Sequence, residues 1–259
     1  MLITALSRPP LPREGERFQQ LQDEFFEQAD AQHFAWQTRN RVIARTEREL
    51  LHGFPIPAQG RLLEVGCGEG GNLVNLRIDE RTRPSLIAGL DYSRHKVDFA
   101  KLQVPEASFV CADAAAIPFD DGYFDAVLCR DVLHHLADRR AALHEIRRVC
   151  KKSGTVWIFE PNAANPLMWL LAKLRPHERG LLANSPRSLR DLVGAHFSDV
   201  SVEMRQPMPI YRLLLHQQLG LATLGQYGIV DALAAFWDRT LALLTPRRWW
   251  AYIVVKASP

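Results

Sequence analysis

Apolar positions along the chain follow two regimes that change at Arg61. Before it, helical spacing predicts two helices, over 14–28 and 37–53, the second ended by Gly53, Pro55 and Pro57. From Arg61 onward, short apolar runs alternate with helical stretches. The runs at 62–65, 86–90, 109–111, 126–129 and 156–159 have strand length, and several are β-branched. Helical stretches lie near 72–77, 93–101 and 138–151, and in the last of these Ala142, Ile146, Val149 and Cys150 share a face. This alternation predicts a doubly wound α/β fold of parallel strands and crossover helices. Continuously apolar strands imply a sheet covered on both faces.

Beyond Glu160, Asn165–Pro166 and Ser185–Pro186 each place a capping residue before a proline, which predicts two helix starts. Strands are expected at 200–204 and 250–255. The leucine-rich stretch between them carries Val230, Leu233, Trp237, Leu241 and Leu244 at helical spacing and reads as an insertion, not a separate domain. The expected organisation is an N-terminal helical cap (1–60), an α/β core (61–206), a helical insertion (207–249) and a last core strand (250–259).

Composition narrows the function classes. With 259 residues the chain can build one sizeable domain. The net charge is +3, and the basic residues cluster only modestly, at Arg139–Arg140, Arg147–Arg148 and Arg247–Arg248. A dense basic stripe is missing, so nucleic acid is not the expected substrate. Cys67, Cys111, Cys129 and Cys150 form no Cys-x-x-Cys pair, and no histidine cluster completes a zinc motif. No metal is expected, and the thiols read as reduced. Residues 1–7 are too short for a signal-peptide core and Pro9, Pro10 and Pro12 follow; no apolar run reaches membrane-spanning length. A cytoplasmic protein is expected, with peripheral contact to a membrane surface left open.

The segment Leu62–Gly71 carries the most chemistry. A strand runs into a glycine-rich turn and then a helix, the place where open α/β sheets bind ligands. Gly66, Gly68 and Gly71 satisfy the dinucleotide pattern Gly-x-Gly-x-x-Gly; Glu64, Gly66, Gly68 and Gly70 satisfy Glu-x-Gly-x-Gly-x-Gly. A pyrophosphate favours backbone N–H groups, and Glu64 with Glu69 would repel it. S-adenosylmethionine carries an ammonium, a sulfonium and a carboxylate but no phosphate, so it tolerates the acids. Asp91, in Gly89-Leu90-Asp91, can accept from two ribose hydroxyls. Asp113, in Cys111-Ala112-Asp113-Ala114, can reach an adenine amino group.

Together Leu63–Gly70, Gly89–Ser93, Ala112–Phe119 and Asp121–Leu136 resemble the class I methyltransferases of the ubiquinone/menaquinone-biosynthesis type. Ile117-Pro118-Phe119-Asp120-Asp121-Gly122-Tyr123-Phe124-Asp125 followed by Val132-Leu133-His134-His135-Leu136 carries most of the likeness. The Lys151–Thr155 turn matches only loosely. The resemblance implies a seven-stranded sheet of order 3-2-1-4-5-7-6 with an antiparallel last strand. It also implies S-adenosylmethionine as cofactor and S-adenosylhomocysteine as product. Glu64, Gly66, Cys67, Gly68 and Gly70 would hold the methionine end, Asp91 with Tyr92 the ribose, and Asp113 with Ala114 the adenine. The Arg130 backbone would lie near the methionyl amine.

His134, His135 and Glu160 are candidates for a general base or substrate contact, against the plainer reading that they pack and cap their turns. Phe34, Trp36, Trp169, Tyr211 and Trp237 are candidate contacts for an apolar acceptor. The resulting reading is methyl transfer to oxygen or carbon of a small, hydrophobic acceptor: a natural product, quinone, lipid or glycolipid. The alternatives are a non-catalytic S-adenosylmethionine-binding or scaffold protein and, less favoured, a nicotinamide-dependent oxidoreductase. The insertion can be a lid, a membrane-facing surface or a homodimer contact.

Overall fold

A computed structural model describes residues 30–216 and 221–259. The predicted helix over 14–28 lies outside them. The seven strands are β1 (Arg61–Val65), β2 (Leu86–Asp91), β3 (Ser108–Cys111), β4 (Phe124–Arg130), β5 (Cys150–Pro161), β6 (Ser198–Arg205) and β7 (Tyr252–Ser258). They form one sheet of order β3-β2-β1-β4-β5-β7-β6. All pairings are parallel except those of β7 with β5 and β6. The expected order and the antiparallel last strand are both present.

The strands are apolar throughout because successive side chains enter two different cores. Leu63, Val65, Val127, Cys129, Val156, Ile158, Ile253 and Val255 join α5 (Arg139–Val149) and α7 (Pro186–Gly194) on one face. Leu62, Ala126, Leu128, Trp157, Phe159 and Val254 join α2 (Arg41–Leu51) and α3 (Gly71–Leu76) on the other. α4 (Arg94–Gln103) crosses from β2 to β3, and α6 (Pro166–Leu174) leaves the end of β5. The two predicted starts are capped as read. The Asn165 side chain accepts from Leu167 N and Met168 N, and Ser185 forms a reciprocal capping box with Ser188.

Several boundaries differ from the sequence expectation, and three of them change how elements begin or end. The helix expected over 37–53 is two helices, α1 (Ala31–Arg39) and α2, broken at Asn40. Asn40 leaves helical geometry, caps Ile43 N, and donates from its amide to the Ala222 carbonyl. An asparagine that can cap and also satisfy a distant carbonyl favours the break over a continuous helix. The third core helix stops at Val149, because Cys150 is already extended at the head of β5. The last strand starts at Tyr252, after a 3₁₀ turn at Arg247–Trp249.

The insertion contains α8 (Ile210–Leu214), a 3₁₀ turn (Ala222–Gln226) and α9 (Gly228–Leu244). Ala234 and Val230 of α9 pack with Trp36, Val42 and Ile43, and Asp231 pairs with Arg45 at 2.6 Å. Of the other stripe positions, Leu233, Trp237 and Leu244 are exposed and Leu241 is half-buried. No helix among the described residues is long and apolar enough to cross a membrane.

Candidate active site

The glycine turn after β1 depends on backbone conformations that L side chains avoid. Gly66, Gly68 and Gly70 have φ of +71°, +51° and +86°. A Cβ on Gly66 would stand 2.1 Å from Val132 Cγ2, whereas one on Gly68 would meet nothing within 4 Å. The turn is thus pressed against the β4 loop at one glycine and open at the next. Gly66→Ala is expected to cost roughly 1–3 kcal/mol of stability from strain and overpacking. Gly66→Ala/Val132→Ala should recover the overpacking part in a urea melt. Equal midpoints for the single and double variants would discount the Val132 contact.

The acids read from sequence stand around this turn. Asp91 accepts from Gly68 N at 2.8 Å through Oδ2 and from Ser93 N at 2.9 Å through Oδ1. Glu64 is fully buried; its Oε1 accepts from Asn72 Nδ2 at 2.7 Å, and its Oε2 has no hydrogen-bond partner among the described residues. Burial pushes the Glu64 carboxyl up to about 8, despite the Asn72 hydrogen bond. Cys67 is buried and Tyr92 is exposed. Asp113 is exposed and receives Ala115 N at 2.8 Å, closing a turn, while Ala114 is buried in the core.

The Arg130 side chain, rather than its backbone alone, is a prominent feature. It is buried, ion-paired with Glu47 of α2, and donates to Asn72 Oδ1 at 2.9 Å. Arg212 of α8 approaches the other Glu47 oxygen at 2.5 Å. Burial would raise the Glu47 pKa, but the two guanidiniums hold it down to about 2. One chain of contacts therefore runs from Glu64 through Asn72, Arg130 and Glu47 to Arg212. It ties the glycine turn to both the N-terminal helices and the insertion. Glu69 adds a second tie by accepting the Asp30 backbone N–H at 3.0 Å.

A second cluster follows β4. His134 and His135 lie on a 3₁₀ turn (Leu133–His135), with ring centroids 3.8 Å apart. His134 Nδ1 is 2.7 Å from Glu160 Oε2, and its Nε2 is 3.3 Å from Glu178 Oε2. Burial alone would lower the His134 pKa, but Glu160 and Glu178 hold it up at about 10. Burial, reinforced by charged His134, takes His135 down to about 3. Glu160 is fully buried and saturated: it also accepts from Val132 N, Leu133 N and Asn184 Nδ2. It therefore orients His134 and does not reach an acceptor, which corrects its reading as a base.

A cavity of about 840 Å³ lies between these clusters. Gln37, Glu69, Lys96 and Arg130 bound it on the glycine-turn side, and His134, His135, His177 and Glu178 on the other. Trp36, Leu167, Met168, Leu171, Leu181 and Leu213 form its apolar wall. Of the proposed aromatic contacts only Trp36 lines it. Phe34 packs edge-on against Phe99, and Trp169 faces solvent beneath Lys173. The Tyr211 hydroxyl donates to Asp238, and Trp237 donates to the Met208 carbonyl. The insertion reaches the cavity through Arg212, Leu213 and His216, so the α9 stripe is not its lid.

Glu47, Asn72, Arg212 and Glu178 are absent from the sequence expectations. Glu47 had a legible signal. It sits in phase with Val42, Ile43, Thr46, Leu50 and Leu51, a charge within the apolar stripe of a helix. Asn72 directly follows the glycine turn. Arg212 and Glu178 carry no local signal, because their partners are remote in sequence.

Residues 63–158 match the family described as "Methyltransferase domain". This stretch is a methyltransferase domain, and the sheet around it has the strand order that the class I resemblance implies. This domain is 36% identical over 106 residues to a demethylmenaquinone methyltransferase of Roseiflexus castenholzii, covering 40% of this chain and 44% of the relative. It is 31% identical over 168 residues to a tRNA (carboxymethyluridine(34)-5-O)-methyltransferase of Xenopus tropicalis, covering 63% of this chain and 24% of that protein. The chain thus spans less than half the length of these relatives. Phosphoethanolamine N-methyltransferase 2 of Haemonchus contortus, solved with phosphomonomethylethanolamine and S-adenosylhomocysteine, superposes with a TM-score of 0.65. That match covers 97% of this chain and 61% of the other at 18% identity, a likeness of fold. The methyltransferase domain thus has its glycine turn, strand-end acids and cavity at the carboxyl edge of the sheet, as the fold dictates.

Proposed function

We propose that the protein transfers a methyl group from S-adenosylmethionine to a small amphipathic acceptor held in the cavity, with the reacting atom toward the histidine wall. The observation that carries this reading is the cavity itself. It joins the glycine-turn side to an ionisable wall and an apolar one, within the size range of small-molecule sites. The resemblance to a quinone-type methyltransferase supports a small acceptor. The tRNA-type relative keeps an RNA oligonucleotide in the acceptor screen.

The residues fit the cofactor. The unpartnered Glu64 oxygen and the open backbone at Gly68 suit a cationic, phosphate-free ligand. Asp91 spends one lone pair per oxygen on Gly68 and Ser93, and keeps others for two ribose hydroxyls. Glu64 and the Gly66–Gly70 turn would hold the methionine end, and Asp113 with Ala114 would frame the adenine. When bound, S-adenosylmethionine supplies a methyl group already activated on a sulfonium. The chain's own residues then have to align the acceptor and keep water out. Trp36, Met168 and Leu171 exclude water, and the Arg130–Glu47–Arg212 network fixes the N-terminal and insertion segments around the site.

Calorimetric titration with S-adenosylmethionine and S-adenosylhomocysteine, with NAD as control, tests the cofactor. A methyl-transfer screen on hydrophobic hydroxyl compounds tests the acceptor. Binding of NAD in place of the sulfur compounds would overturn the reading.

We further propose that an amphipathic acceptor arrives from a lipid surface met by the outer face of α6. Its inner residues Leu167, Met168 and Leu171 line the cavity, while Trp169, Leu170 and Leu174 are exposed beside Lys173. Asn165 Nδ2, at the head of α6, donates to the Trp249 carbonyl, which places Arg247 and Arg248 alongside. Leu243 and Leu244, at the end of α9, are also exposed and lead into this basic turn. Apolar side chains rimmed by cations complement an anionic lipid surface. The wild type is expected to sediment with phosphatidylserine vesicles more than with phosphatidylcholine vesicles. Trp169→Ser/Leu174→Ser should lose that excess while keeping affinity for S-adenosylhomocysteine; equal sedimentation of both proteins would exclude this face.

A further inference from the structure

The methyl-transfer reading assigns no specific task to three polar side chains of the cavity wall that converge on one point. His134, His135 and Glu178 each offer a donor atom, and these atoms lie within 4.8 Å of one another. His134 Nε2 and Glu178 Oε2 are 3.3 Å apart. Two donors each about 2.1 Å from one tetrahedral ion stand about that far apart, and no two donors of one ion exceed about 4.2 Å. The pair His134–Glu178 already has the tetrahedral spacing, and a side-chain shift of roughly 1–1.5 Å in the widest pair brings the set onto a single ion.

We propose that His134, His135 and Glu178 form a binding site for a first-row divalent cation of the zinc type, with its open coordination positions facing the acceptor cavity. Two imidazoles and one carboxylate make a donor set that zinc, iron and manganese all accept, and three protein donors leave room for an exogenous oxygen. The surroundings are built for such a role. Glu160, fully buried and held by two backbone N–H groups and Asn184, engages His134 Nδ1 and leaves Nε2 as the outward donor. A carboxylate behind a ligating histidine is the usual support of a metal site.

Glu178 is equally well placed. It lies on a 3₁₀ segment (Pro176–Ala183) fastened by Arg139, which donates to the Gly180 carbonyl at 2.7 Å and to Asn184 Oδ1 at 2.9 Å. That segment lies directly on the histidine turn: a Cβ on Gly180 would stand 1.7 Å from the His134 carbonyl oxygen. Two carboxylates thus flank one imidazole at the cavity wall, and a dication between His134 and Glu178 balances them. Orienting an oxygen-bearing acceptor is the task this ion would perform; that task rests on the methyltransferase reading, whereas the metal site does not.

The test uses the full chain, freed of metal with a chelator, titrated with Zn²⁺ by calorimetry and with Co²⁺ by visible absorption. The expected result is one equivalent of Zn²⁺ and the intense bands of four- or five-coordinate Co²⁺. His135→Gln and Glu178→Gln should each weaken Zn²⁺ binding by roughly 100-fold or more, and Glu160→Gln by roughly 10–100-fold, with unchanged circular dichroism. No saturable Zn²⁺ binding by the wild type overturns the proposal. So does binding that both ligand variants retain, since the ion would then sit on other histidines. If a variant fails to fold, the wild-type Co²⁺ spectrum decides alone, because adventitious surface binding leaves Co²⁺ six-coordinate and pale. Titrating the same samples with S-adenosylhomocysteine separates the two readings: either ligand can bind while the other does not.

Discussion

Glu47→Ala is expected to destabilise the protein by about 3–5 kcal/mol, the usual cost of removing one partner from a buried ion pair. Glu47 is fully buried, and both of its oxygens face guanidiniums, Arg130 on one side and Arg212 on the other. Without it, buried Arg130 and half-buried Arg212 confront each other with no carboxylate between them. Urea denaturation should show a lower midpoint at constant slope, and a loss below about 1 kcal/mol would mean that solvent replaces the carboxylate at no great cost. The same pair predicts an acid dependence. The Glu47 pKa is depressed from its ordinary 4.5 to about 2, so its contribution is present above 4.5 and is lost as pH falls toward 2. Glu47→Gln, which cannot ionise, should flatten that part of the stability profile.

Asp91→Ala is expected to weaken S-adenosylhomocysteine binding by roughly 100-fold or more. Hydrogen bonds to a charged acceptor are worth about 1.5–3 kcal/mol each, and two ribose bonds are at stake. The variant also releases Gly68 N and Ser93 N, which Asp91 holds at 2.8 Å and 2.9 Å, so the glycine turn loses its anchor to β2. Asp91→Asn keeps the shape and one acceptor oxygen and should lose less. Trp237→Ala serves as control: its indole donates to Met208 away from the cavity, so cofactor affinity should stay at the wild-type level. Calorimetry on the three variants reads the effect. A wild-type affinity in a folded Asp91→Ala protein would remove Asp91 from the cofactor site.

The cofactor side of this protein is written locally in its sequence, and the acceptor side is not. Strand length, alternation with helices and the glycine turn specify the sheet and the carboxyl edge, because backbone geometry and two-sided burial act over a few residues at a time. Glu64, the glycines and Asp91 could be named from their neighbours alone. So could His134 and His135, although not their partners. Glu160 supplies an orienting contact where the sequence offered a base, since only its burial and its four hydrogen-bond partners distinguish the two roles.

The aromatic candidates show the opposite limit. Phe34, Trp169, Tyr211 and Trp237 share a residue type with Trp36, yet Trp36 alone lines the cavity, because facing direction depends on how α1, α6, α8 and α9 dock. Helical periodicity identifies a stripe but not its partner; in α9 much of that stripe is left facing outward. The same holds for Glu47 with Arg130 and Arg212, and for His134 with Glu178, partners 44 to 165 positions apart whose meeting is set by chain crossings. The sequence by itself determined the alternation of strands and helices and the glycine turn at the sheet's carboxyl edge, through interactions that are local and periodic, while the strand order was implied by the family resemblance. The tertiary structure decided the buried charge network, the cavity lining and the histidine–carboxylate cluster, because those arise only where distant segments are pressed together and their charges must be compensated.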